Sequence, residues 1–194
     1  MSSSRRSFLK HVSLSTLALW GRQGLAESSL VGALPRGTAQ EAGVSEAGIM
    51  AFLDAIETAD MELHSLMILR HGKVIVEGWW EPYGPEFVHT MYSMSKSFTS
   101  TAVGFAVAEE KMSVDDKVIS FFPDDLPATI SENLAAMRVQ DLLTMTPGNE
   151  KEPTGNVVKE ENWVRTFLAQ NITHKPGTQF MYNSVATYMC SAIV

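Results

Sequence analysis

The residues best suited to chemistry in this chain are Ser93 and Lys96, in the run Tyr92-Ser93-Met94-Ser95-Lys96. At the start of a helix, residues i and i+3 stand on one face. A lysine amine can there lie against a serine hydroxyl and take its proton, leaving an alkoxide able to attack a carbonyl carbon. Lysine ordinarily titrates near 10.4, so burial beside other donors would have to lower that value for it to act as a base at neutral pH. The first free backbone N–H groups of the same helix are placed to hold a developing oxyanion. Ser7 and Lys10 repeat the spacing, so the pair takes its meaning only from its surroundings.

Other chemistries lack their residues. His11, His64, His71, His89 and His174 show no metal-binding spacing. Gly43-Val44-Ser45-Glu46-Ala47 misses the G-x-S-x-G nucleophile elbow by its last residue, and Ser45 reads better as a helix cap. There is no phosphate-binding glycine loop. No metal and no organic cofactor is expected. The 194 residues carry 22 acidic against 15 basic side chains, a balance that repels nucleic acid. With 45% hydrophobic residues the chain can build a core, which excludes wholesale disorder. Cys190 is the single cysteine, so an internal disulfide and a thiolate cluster are both excluded, and its apolar setting marks it as packing.

The elements that must position Ser93 and Lys96 follow from patterning. Residues 27–42 read as a leader. Ser45 caps a helix over 46–57, with Ile49, Phe52, Leu53 and Ile56 at helical spacing. Two apolar runs, 65–70 and 73–80, flank His71-Gly72 and predict a β-hairpin. A polar loop over 81–90 leads into a long helix from about Ser93 to Lys111. Asp115-Asp116 and 122–125 are turns, and short helices are expected over 139–144 and 162–170. Pro176-Gly177-Thr178 is a turn before a last helix from Asn183 or Ser184. Its stripe of Val185, Ala186, Met189, Cys190 and Ile193 continues to the final residue without a stop signal, so the chain is expected to be truncated inside an element.

The first 26 residues read as an address. Ser4-Arg5-Arg6-Ser7-Phe8-Leu9-Lys10 precedes a short, weakly apolar run and the small-residue ending Gly24-Leu25-Ala26. Paired arginines before Phe-Leu-Lys resemble a twin-arginine export signal, and the apolar run is too short to span a bilayer. Its removal would take four basic residues (Arg5, Arg6, Lys10 and Arg22) and no acid, leaving 11 basic against 22 acidic. The expected destination is the bacterial periplasm or exterior, with the export machinery as a transient partner and no stable membrane span afterwards.

Three stretches in order carry a family resemblance: Tyr92 to Thr99, Val139 to Gly148, and Pro176 to Ser184. With the hairpin before them and the Asp-rich turn between, residues 40–194 resemble the serine β-lactamase-related family. That family comprises class C β-lactamases, D,D-peptidases, and the esterases and amide hydrolases that share their fold. The resemblance implies an α+β, β-lactamase/transpeptidase-like fold, a helical lobe plus an antiparallel sheet, here lacking its C-terminal strands. Residues 27–194 would be the N-terminal part of the hydrolase domain. Ser93 would be the acylated nucleophile, Lys96 its activating partner, and Tyr182 the proton shuttle of a Tyr-x-Asn motif. Here that motif reads Tyr182-Asn183-Ser184, with Ser184 where the lactamase-type asparagine would contact a β-lactam's amide side chain; Asn183 is the register alternative. Tyr-x-Ser resembles the esterase and linear-amide hydrolase branches. The family's third motif, Lys-Thr-Gly or its variants, does not occur, and the resemblance places it on a strand beyond Val194. The expected function is therefore an exported serine hydrolase acting on a small ester or linear amide through an acyl-enzyme. A β-lactamase, a penicillin-binding D,D-peptidase relative and an inactive fragment of the fold are the alternatives.

Overall fold

The computed structural model describes residues 34–194, which fall into two units, 34–89 and 90–194. The export-signal reading of residues 1–26 lies outside the described residues.

In the first unit, Ser45 caps α1 (Glu46–Thr58), its hydroxyl accepting from the Gly48 amide at 3.1 Å. Leu53 is buried, with Ile49 and Ile56 half-buried beside it on the same stripe. Phe52 was expected on that stripe and is instead 47% exposed. The hairpin forms as the sequence predicts: β1 (Ser65–Arg70) pairs antiparallel with β2 (Lys73–Trp79). Both turn residues take positive φ, His71 at 50° and Gly72 at 75°, as a tight two-residue connection between twisted strands requires. The stretch read as a leader does more than lead. Val74 donates to the Pro35 carbonyl and accepts from the Gly37 amide, so residues 35–37 run parallel to β2 and cover its outer edge. Arg36 adds an ion pair to Glu77 at 2.9 Å.

The second unit is helical. Tyr92–Met94 form a 3-10 turn, and only then does α2 (Ser95–Ala108) begin. The helix expected from Ser93 thus starts two residues late, because Tyr92 sits at φ 45°, outside helical geometry. It also ends before Lys111, closed by Glu110 at φ 56°. Four short helices follow: α3 (Glu132–Ala136), α4 (Val139–Leu143), α5 (Thr154–Val157) and α6 (Trp163–Leu168). The last helix, α7 (Ser184–Ile193), packs against α2, α4, α5 and α6. Its expected stripe is the centre of the core: Val185, Ala186, Met189 and Cys190 are buried with Val103, Met137, Leu142 and Phe167. Burial pushes the Cys190 thiol up to about 12, which keeps it protonated and inert.

Two segments fix where α7 begins. His174 donates to the Gly148 carbonyl, Gly177 to the Thr146 carbonyl, and Met181 to the Met145 carbonyl, so residues 145–149 run alongside 172–181. The two segments touch so closely that a Cβ on Gly148, at φ 95°, would lie 2.2 Å from the His174 carbonyl oxygen.

Candidate active site

The 3-10 turn leaves Ser93 exposed and free of any capping duty, while Lys96 sits in the first turn of α2 and folds back toward it. The Lys96 amine donates to Ser93 Oγ at 3.2 Å and to Ser184 Oγ at 3.3 Å. From the other side, the Tyr182 phenol donates to Ser93 Oγ at 2.6 Å, and the Lys96 nitrogen lies 5.2 Å from the centre of its ring. Four of the five residues singled out in sequence therefore converge: Ser93, Lys96, Tyr182 and Ser184.

Asn183 does not join them. It is fully buried, its Oδ1 accepting from the Ala186 amide at 2.9 Å and its Nδ2 donating to Asn149 Oδ1 at 3.2 Å. This corrects its reading as a substrate contact, because both ends of the amide are already engaged inside the protein. Asn183 is the N-cap of α7, and its side chain ties the Tyr182–Ser184 segment to the 145–149 segment.

The charge on Lys96 has a measurable target. The Tyr182 hydroxyl titrates below its usual value near 10, first through its hydrogen bond to Ser93 and then through the neighbouring ammonium. Glu152 opposes this, its negative charge acting to raise the same hydroxyl. It was not singled out in sequence. Glu152 lies in a run of charged residues, Glu150-Lys151-Glu152, that looks like any solvated loop, and its placement depends on a contact 32 residues away. There Ser184 N donates to Glu152 Oε1 at 3.2 Å, while Thr154 holds the same carboxylate through its amide at 2.9 Å and through its hydroxyl. Among the described residues, no group of three or more His, Cys, Asp or Glu is arranged to hold a metal.

The sequence pattern of the Beta-lactamase family matches residues 53–194, nearly three quarters of the chain. The chain belongs to the Beta-lactamase family. Its helices and antiparallel hairpin are part of the β-lactamase/transpeptidase-like fold. Solved structures similar to this Beta-lactamase family chain include a class C beta-lactamase in complex with cefoxitin, at TM-score 0.62 and 17% identity. That match covers 79% of this chain and 44% of the other. An octameric penicillin-binding protein homologue from Pyrococcus abyssi matches at TM-score 0.56 and 21% identity, over 77% and 38% of the two chains. A candidate 6-aminohexanoate-dimer hydrolase from Bacillus anthracis matches at TM-score 0.56 and 16% identity, over 73% and 41%. Among curated proteins, FimD, a candidate fimbrial assembly protein of Dichelobacter nodosus (serogroup H1), is 30% identical over 109 residues. That stretch is 53% of this chain and 27% of FimD, so this Beta-lactamase family chain spans about a quarter of that relative's length.

Proposed function

We propose that this Beta-lactamase family protein is an exported serine hydrolase that cleaves an ester or linear amide through an acyl-enzyme on Ser93. The observation that carries the reading is the double contact on one oxygen: Ser93 Oγ meets the Tyr182 hydroxyl at 2.6 Å and the Lys96 amine at 3.2 Å. A phenol whose pKa is lowered, first by its hydrogen bond to Ser93 and then by the neighbouring ammonium, can serve as a general base. In the reacting form, the Tyr182 phenolate, held by the Lys96 ammonium, accepts the Ser93 proton as Oγ bonds to the carbonyl carbon. The tetrahedral oxyanion collapses, the C–O or C–N bond to the leaving group breaks, and Tyr182 returns the proton to the departing oxygen or nitrogen. Water then attacks the acyl ester. Tyr182 takes the proton of that water and passes it to Ser93 Oγ, and the free acid leaves. Lys96 remains cationic throughout.

The choice of ester or linear amide over β-lactam rests on Ser184 standing where the lactamase-type motif has asparagine, and on its hydroxyl being turned to Lys96. Ser93→Ala in the native protein is expected to abolish acylation by a p-nitrophenyl ester, lowering turnover by at least about 10³-fold. Unchanged turnover would remove Ser93 as nucleophile. A stable covalent adduct with a β-lactam and no ester turnover would favour the penicillin-binding alternative.

A further inference from the structure

Glu152 adds a fixed negative charge to a site whose other charged group, Lys96, is turned toward Ser93 and Ser184. The Glu152 carboxylate is exposed, and among the described residues it is in no ion pair. Its orientation is set by three donors, the Ser184 amide and the amide and hydroxyl of Thr154. An ionised carboxylate offers about four acceptor positions, so room for a cation remains. Hydrogen bonds join Lys96 to Ser93 Oγ and to Ser184 Oγ, and the Ser184 amide to this carboxylate, so Ser184 stands between the carboxylate and the group that holds Ser93. Its charge is felt at the Tyr182 hydroxyl, so it lies within electrostatic reach of the reacting atoms.

We propose that Glu152 is a specificity residue of the Ser93 site, favouring substrates whose acyl group ends in a positive charge. Being held in place by its neighbours, the carboxylate has little side-chain freedom left to lose on binding. An acyl group ending in a carboxylate would meet repulsion at the same point.

The inference rests on the hydrolase reading, and a matched pair of esters separates the two. The 5-(trimethylammonio)pentanoyl and 6,6-dimethylheptanoyl esters of p-nitrophenol differ only in N⁺ against C at the chain end, and the quaternary nitrogen cannot attack its own ester. The native protein is expected to prefer the cationic ester in kcat/KM. Glu152→Gln keeps an oxygen to accept from Ser184 N, and should lower the cationic-to-neutral ratio roughly five-fold at low salt, mainly through KM. That loss should shrink as ionic strength rises. Glu152→Lys should invert the preference, with an unchanged melting midpoint showing that both variants are folded. Ser93-dependent turnover with the same ratio in wild type and Glu152→Gln would overturn this inference alone. Turnover that survives Ser93→Ala, or no turnover of either ester, would overturn the hydrolase reading and this inference with it.

Discussion

At the scale of single residues, the site is a matter of which oxygen sees which charge. Ser93 and Tyr182 are both exposed in this chain, and what acts on the Tyr182 hydroxyl is first its hydrogen bond to Ser93 and then Lys96. The sign of the effect gives a pH prediction. Tyr182 has its pKa lowered, so its phenolate is gained as pH rises through that lowered value, and kcat/KM for ester cleavage should rise along the same limb. Lys96→Met removes the cation, so the limb should move to higher pH, and turnover at neutral pH should fall about 10²-fold. Lys96→Arg keeps the charge and should keep the limb closer to its original position. A pH–rate profile of the three proteins decides the matter; a limb that stays put in Lys96→Met would show that Tyr182 is not the group being titrated. Ser93 and Lys96 were legible in sequence from their i, i+3 spacing, whereas Tyr182 and Ser184 were legible only through the family resemblance that the run Tyr182-Asn183-Ser184 helps to carry. What sequence could not divide was the labour within that triplet. Three adjacent polar residues look alike until the fold turns one inward, and Asn183 is the one that caps α7.

At the scale of elements, local signals proved readable and long-range ones did not. Ser45 as a cap, His71-Gly72 as a turn and the α7 stripe are each decided within a few residues, and each stands as the sequence predicts. The late start of α2 depends on the positive φ of Tyr92, and the pairing of residues 35–37 with Val74 joins segments far apart in the chain, so neither has a local signature. The contact between residues 145–149 and 172–181 is of the same kind, and it sets the path of the chain into Tyr182. Gly148 is where it is tightest. Gly148→Ala would drive a Cβ into the His174 carbonyl at a positive φ, and should cost roughly 2–4 kcal/mol of stability. Gly155→Ala, in α5 with open space around its Cβ, should instead be neutral or stabilising by up to about 1 kcal/mol. Urea midpoints compare them directly. If Gly148→Ala melts with Gly155→Ala, the close approach of the two segments is not what holds Tyr182 in place.

At the scale of the whole molecule, the balance of charge and the cysteine usage bear on where the protein works. The helical unit closes its core around Cys190 as a buried, protonated thiol, and this chain has no second cysteine with which to form a disulfide. Among the described residues no helix is long and apolar enough to cross a membrane. The paired arginines at the start of the chain resemble a twin-arginine signal, whose route carries proteins that are already folded. The proposal is that Arg5 and Arg6 direct the folded protein out of the cytoplasm and that cleavage follows Ala26. Replacing both with lysine keeps the charge and the length of the segment while removing the guanidinium pair. In fractionated cells the variant is expected to accumulate in the cytoplasm as an uncleaved precursor, with the Ser93-dependent esterase activity found there and not in the periplasm. The cytoplasmic precursor is expected to be folded and active. A variant exported and cleaved at the wild-type level would overturn the twin-arginine reading. A precursor that stays in the cytoplasm but is unfolded would show that folding there needs more than the absence of disulfides.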